Sequence, residues 1–409
     1  MKTVKHQVMR SINTTALLQA IHQHGAMSRQ LLHQRTGLSW GAISNIVSDL
    51  LSEGILVEMP VEVKHSGRPS TEVDINPRKF LFGGIDINMQ GLSCVITNLI
   101  GRPMISLYET DIGNTSQAVL ERCSALLYKA LHDLNIEVQE LSGIGISIQG
   151  SIDSTSRISL YSPHLPEWNN VPVCDYFQNI FDIPTFLFHD TNAMLLAERR
   201  KNSYNAQHMV YIRLSMGFGM SLFMNGRSYT GADGNASEYG HTIIKPDGLR
   251  CTCGNNGCLE AYVSGRSLLH QAQEGVAHGV CNISLEDMDD TGNLLRLAHA
   301  ARDGLNFERS LFQRMGHYFG IGIVNLVNAL NPELIVVGGS LAQFSDLYMD
   351  EALKIIKMRA WKHNRVKVVL SNLSADGAAI GAAVSVVKFL PASNVPDAVK
   401  HLFDIGYQY

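Results

Sequence analysis

The chain has 409 residues, 45% hydrophobic and 17% charged, with a formal net charge of −4; this is ordinary globular composition with room for two or three folded units. No run of about 18 apolar residues argues for a membrane span. Met1 to Ser11 carries Lys2, Lys5 and Arg10 without the apolar core or cleavage site of a secretory signal, so a cytoplasmic protein is expected. Charge is uneven: residues 1–80 hold nine Lys/Arg against six Asp/Glu, net +3, and the remainder 24 against 31, net −7. A basic N-terminal piece on an acidic body points to a nucleic-acid partner.

Three helices are expected first. Ala16, Leu17, Ala20 and Ile21 recur at helical spacing before Gly25. Ser28 caps a short helix through Leu31, Leu32 and Thr36, ended by Gly37, and Ser39 caps a third whose stripe is Ile43, Ile46, Val47, Leu50 and Leu51. Two short helices across a glycine turn, with a helix before them, form a helix-turn-helix pattern. The runs 55–58 and 61–63 read as strands of a wing, and residues 1–63 are taken as one winged domain, mostly α.

The third helix leaves Trp40, Gly41, Ser44, Asn45 and Ser48 on its polar side, and Ser39, Trp40, Gly41, Ser44 and Asn45, near its start, are expected to meet DNA as a recognition helix meets base edges. Residues 64–79 are expected as a linker, with Arg68 held extended between Gly67 and Pro69 to enter a narrow minor groove. Such trihelical pieces also serve protein contacts; the wing and the Gly-Arg-Pro segment favour DNA. One module covers one half-site, so a homodimer or homotetramer on an inverted repeat is expected.

From Phe80 strands and helices alternate. Gly83–Ile87 and Ser93–Ile96 read as adjacent strands, then a helix over 117–134, then a buried strand Leu141–Ile148. A second round starts at Met209–Ile212, with helices near 307–330 and 346–360 and a strand Leu334–Val337 before Gly338-Gly339. This is an α/β body, expected as two lobes with a cleft. One lobe takes 80–190 plus 372–390, the other 191–371, and 391–409 is an extension.

The strongest chemical signal is Glu238-Tyr-Gly-His241 followed by Cys251-Thr-Cys253-Gly-Asn-Asn-Gly-Cys258-Leu-Glu260. Three thiolates and one imidazole suit four-coordinate Zn²⁺, and glycines let the chain turn tightly around it. Four protein ligands, His241, Cys251, Cys253 and Cys258, close the site, which makes it structural. Reduced cysteines beside a chance histidine are the alternative.

These motifs resemble the ROK family of sugar repressors and sugar kinases, over essentially the whole chain. The N-terminal module and the Gly-Arg-Pro segment resemble its repressor branch, because the kinases lack a DNA-binding module. The resemblance implies an actin-like, two-lobed sugar-kinase fold behind the winged helix-turn-helix. It also implies a sugar site built from Gly150, His164, His189, Asp190, Glu238, His241 and Glu260. Carboxylates and imidazoles suit ring hydroxyls; bracing of the zinc loop is the alternative for Glu238 and Glu260, and no role at all for His164.

The kinase pattern fails where phosphate is held. The resemblance implies an Asp-x-Gly-Gly-Thr-Lys loop, but the chain reads Asp86-Ile87-Asn88-Met89-Gln90. The second loop reads Ser215-Met216-Gly217-Phe218-Gly219-Met220-Ser221, and Met216 and Met220 are expected to lie where phosphate oxygens would. Phosphoryl transfer depends on positioning and charge, so Asp190, at the kinase-base position, is expected to bind sugar without catalysing. The expectation is a repressor of carbohydrate genes with a sugar or sugar-phosphate effector and operator DNA as partners. The alternative is a bifunctional ATP-dependent sugar kinase that carries a DNA-binding domain.

Overall fold

Capping residues set the N-terminal module. Helix α1 (Lys2–His24) ends at Gly25, whose amide donates to Ile21 O with φ at +79°. After the short strand β1 (Met27–Ser28), Ser28 Oγ accepts from Leu31 N and starts α2 (Arg29–Thr36), which Gly37 closes in the left-handed region. Ser39 Oγ accepts from Ala42 N, 3.3 Å away, and starts α3 (Trp40–Ser52). Helix α3 buries Ile43, Ile46, Val47 and Leu50. Arg10 of α1 pairs with Asp49 of α3.

This computed structural model describes residues 2–59, 71–153, 155–162, 165–202, 204–232, 236–285 and 289–400. The wing strand β2 (Leu56–Met59) pairs antiparallel with β3 (Glu72–Ile75), and β1 lies on the other side of β3. Residues 72–75 are therefore strand where a linker was expected: their alternation puts Val73 and Ile75 inside and Glu72 and Asp74 outward. The expected strand 61–63 and Arg68 lie outside the described residues.

The next elements are β4 (Leu81–Asn88), β5 (Gly91–Asn98), β6 (Pro103–Glu109), α4 (Ser116–Leu134) and β7 (Leu141–Ile148). The small strands β8 (Ser151–Asp153), β9 (Ile158–Tyr161) and β10 (Asn169–Val171) follow, then α5 (Val173–Phe181), β11 (Thr185–His189) and α6 (Asp190–Lys201). A second stretch supplies β12 (Met209–Leu214), β13 (Phe218–Met224), β14 (Arg227–Tyr229), α7 (Glu260–Val263), α8 (Gly265–Ala277) and α9 (Asp290–Arg302). It continues with α10 (Asn306–Leu330), β15 (Leu334–Gly338), α11 (Ser345–Arg359) and β16 (Lys367–Leu370). The chain then returns through α12 (Gly377–Ser385) and α13 (Asp397–Lys400).

These elements form two compact units, residues 1–200 with 375–409 and residues 201–374. In the first, the sheet order is β11-β7-β4-β5-β6, with β4, β7 and β11 parallel. Its two faces are set by alternation along the strands. Leu81, Ile85 and Ile87 with Ile144, Ile146 and Ile148 pack on Leu120, Leu127 and Phe177 of α4 and α5. Phe82, Val95 and Leu99 face the other way, into a cluster with Ala379, Ala383, Val386 and Val387.

That second cluster does not stop at the sheet. It takes in Leu17, Leu18 and Ile21 of α1, Ile43 and Leu50 of α3, Val73 of the wing, and Val395 and Val399 from the end of the described chain. Thr15 Oγ1 donates to Ala398 O. Residues 391–400 thus pack on the N-terminal module. In the second unit the sheet order is β14-β13-β12-β15-β16, covered by a core that includes Leu311, Phe312, Phe319 and Ile323 of α10 and Tyr348, Ala352 and Ile355 of α11.

Helix α12, Gly-Ala-Ala-Ile-Gly-Ala-Ala-Val-Ser, lies directly on the strands because those strands carry glycine beneath it. A Cβ on Gly145 would stand 2.1 Å from Ala382 O, and one on Gly84 the same distance from Ala379 O, both against backbone. Gly145→Ala is therefore expected to destabilise the first unit by about 1–3 kcal/mol, read as a lower midpoint in chemical denaturation. An unchanged midpoint would contradict this close packing.

Candidate functional site

Parallel strands deliver their carboxyl ends to one edge, the usual place for ligands in open α/β sheets. Here β4 brings Asp86, β7 brings Ser147 and Ile148, and β11 brings His189, in register Asp86↔Ser147 and His189↔Ile148. Asp86 is 3% exposed. Ser147 Oγ donates to one of its oxygens at 2.6 Å, and Asn88 Nδ2 to the other at 2.7 Å.

Asp190 opens α6 and is 2% exposed; Thr191 N donates to its Oδ1 at 2.7 Å. A carboxylate there also faces the positive end of the helix dipole. His189 Nδ1 lies 2.9 Å from Thr191 Oγ1 and 3.1 Å from Asp190 Oδ1. Gly150 follows β7 with φ at +115°, and a Cβ there would meet Tyr161 O at 2.2 Å. Gly150, His189 and Asp190 thus share one edge of the first unit. His164 lies outside the described residues.

The other expected residues belong to the second unit. His241, Cys251, Cys253 and Cys258 place one ligand atom each within 4.8 Å of one another. Cys251 Sγ is 3.7 Å from His241 Nδ1, and Cys253 Sγ is 3.7 Å from Cys258 Sγ. A tetrahedron with metal–sulfur bonds of roughly 2.3 Å has edges of about 3.8 Å, so the spacing fits one ion. The backbone makes the knuckle: Cys251 N donates to Asn255 O, Gly254 N to Cys251 O, and Gly257 N to Leu249 O. Gly257 needs its φ of +76°, and a Cβ would strike Lys245 O.

Burial pushes the Cys258 thiol up to about 12 and raises Cys251 as well, while the Asn255 amide lowers Cys253. Burial thus disfavours the thiolate at both buried positions. Glu238 Oε2 lies 3.9 Å from His241 Nε2. Glu260 Oε2 accepts the Phe218 N–H at 2.8 Å, and Thr252 Oγ1 donates to Glu260 Oε1 at 3.4 Å. Glu260 therefore ties the Cys knuckle to the turn at 215–218.

Met220 points into the core from β13, as the alternation of that strand dictates, and Met216 is half-buried against the same core. At the turn itself the Glu260 carboxylate sits on the Phe218 amide. The other loop, between β4 and β5, is closed by Asn88, whose Oδ1 accepts Gln90 N, and by Tyr108 of β6, which donates to Gln90 O.

On the N-terminal module, Ser39, Trp40, Gly41 and Asn45 are exposed and Ser44 is half-buried, around the first two turns of α3. Ser147, Thr191 and the Phe218 amide are the polar partners that motif reading missed. The first and last need strand register or a loop contact to be seen; Thr191 sits two residues from His189.

A winged helix-turn-helix joined to two α/β units of sugar-kinase type defines the class. The chain belongs to the ROK family, whose model matches residues 82–388. It is 27% identical over 388 residues to the xylose repressor of Caldicellulosiruptor bescii, covering 93% of this chain and 97% of that protein. Among solved structures it is similar to a ROK family transcriptional regulator described as a homolog of the E. coli MLC protein. That match has a TM-score of 0.76 and 24% identity, over 97% of this chain and 99% of the other. A ROK glucokinase from Streptomyces griseus, solved with glucose and AMPPNP, matches with a TM-score of 0.63 and 24% identity. It covers 74% of this chain and 98% of its own. Among the described residues no helix is long and apolar enough to cross a membrane.

Proposed function

We propose that the protein is a sugar- or sugar-phosphate-responsive DNA-binding transcriptional regulator, a repressor of carbohydrate genes whose kinase-like body senses and does not phosphorylate. The observation that carries this reading is the apolar cluster shared by α1, α3, the wing and the back of the sheet whose edge holds Gly150, His189 and Asp190. Relatives that match along nearly the whole chain are repressors, which supports it. Asp190 and His189 of the first unit supply acceptors and donors suited to ring hydroxyls, and Glu238, His241 and Glu260 of the second carry the same kinds of group. The protein binds operator DNA as a homodimer or homotetramer, because one helix-turn-helix covers one half-site.

Two features speak against the bifunctional kinase. The Gln90 amide in the first loop is taken by Asn88, and the Phe218 amide in the second by Glu260. A carboxylate seated on the amide repels the anion that a phosphate cradle attracts.

The Cys and His residues fit zinc, held structurally: all four positions come from protein, with none open for water. Protein purified without chelator is expected to carry about one Zn²⁺ per chain, and Cys253→Ser to lose it and unfold earlier. Elemental analysis that finds no metal would contradict the assignment.

The function is tested by pairing two measurements. A thermal-shift screen of sugars and sugar phosphates identifies the ligand, since saturation at about 100 times Kd adds about 2.7 kcal/mol. Selection from random DNA identifies the operator. The ligand is then expected to lower operator affinity by about 5–150-fold, and operator DNA to weaken the ligand by the same factor. A ligand that binds tightly and leaves operator affinity unchanged would overturn the sensing model.

A further inference from the structure

We infer that Trp40 reads a thymine methyl group, so that α3 recognises A·T pairs. This rests on the DNA-binding reading above and adds to it which bases the helix selects.

Trp40 is the first residue of α3 and 53% exposed. Its neighbours Ser39 and Gly41 are small, and Gly41 has open space where a side chain would be. The indole is therefore the one large group projecting from the start of the helix, where recognition helices meet base edges. It is braced: the His33 ring of α2 lies at 84° to it, centroids 6.3 Å apart, and His33 Nδ1 is 2.6 Å from Leu38 O in the turn. The ring is contacted on one side by His33 without being buried.

The rest of α3 limits what the helix can read. Trp-Gly-Ala-Ile-Ser-Asn-Ile-Val-Ser-Asp-Leu-Leu-Ser holds no Lys or Arg, so it cannot make the bidentate cation contact that selects guanine. Its exposed polar groups include Asn45, which pairs with adenine, and hydroxyls that pair with either base. The apolar group that the major groove offers is the thymine methyl.

A protein partner would need a contiguous apolar patch. Among the described residues of α2 and α3, no other large apolar side chain is exposed. A single ring among hydroxyls and an amide matches a groove floor better than it matches a protein surface.

The experiment uses the full-length protein and the duplex recovered by random-site selection, with each thymine of a half-site replaced in turn by uracil. Uracil lacks only the methyl, and burying one methyl is worth about fourfold in a binding constant. Wild type is expected to lose about three- to fivefold at one thymine per half-site. Trp40→Ala should bind weaker, with equal affinity for the thymine and uracil duplexes, and Trp40→Phe should restore part of the difference. The salt dependence should be the same for all three, since no phosphate contact is removed.

The inference fails if wild type ignores uracil at every position, or if Trp40→Ala keeps the same preference. It also fails if Trp40→Ala changes the oligomeric state and leaves base preference alone, which would assign the ring to another copy of the chain. A wild type that selects no DNA sequence at all would instead overturn the DNA-binding reading beneath it.

Discussion

The structure depends on one apolar seam. Leu17, Leu18 and Ile21 of α1 join Phe82, Val95 and Leu99 of the sheet and Ala379, Ala383, Val386 and Val387 of α12 and the turn after it, in a cluster from which water is excluded. Each fully buried leucine or valine contributes about 1.5–3 kcal/mol relative to exposure, so the module cannot swing free without losing several of them. The DNA-binding helices are thus docked on the back of a sheet that presents Asp86, His189 and Asp190 along its edge. Arg200, near the end of the helix that Asp190 begins, donates to Leu99 O and Ile100 O, and Leu99 belongs to the seam. Helix α6 therefore connects the polar edge to the apolar seam within one unit.

Polar closure does the corresponding work in the loops. Buried carboxylates are costly unless hydrogen-bonded, and each here has partners: Asp86 has Ser147 and Asn88, and Asp190 has the Thr191 amide. Glu260 spends its oxygens on the Phe218 amide and on Thr252. In the second unit the knuckle gathers His241, Cys251, Cys253 and Cys258 just before α7.

The caps made much of the N-terminal module legible, because Ser28, Gly37 and Ser39 act over three residues. The extent of α1 was not, since its first turns carry neither a cap signal nor a clear apolar stripe. Strand β3 was read as linker because Glu72-Val-Asp-Ile75 is short and its partner β2 is more than a dozen residues away. The Cys and His spacing announced the knuckle directly. The Ser147 contact with Asp86 depends on the register of two strands about sixty residues apart, and the inward turn of Met220 on the phase of β13. Neither is written in local spacing.

Whether the seam carries the sugar signal is tested most directly by hydrogen exchange of the full-length protein, with and without the sugar ligand found by screening. Changed protection is expected in β11 and α6 together with α1 and α3, and loss of the α1 and α3 change in Leu99→Ala while the ligand still binds. Changes confined to the sheet edge, with α1 and α3 exchanging identically in both states, would contradict it.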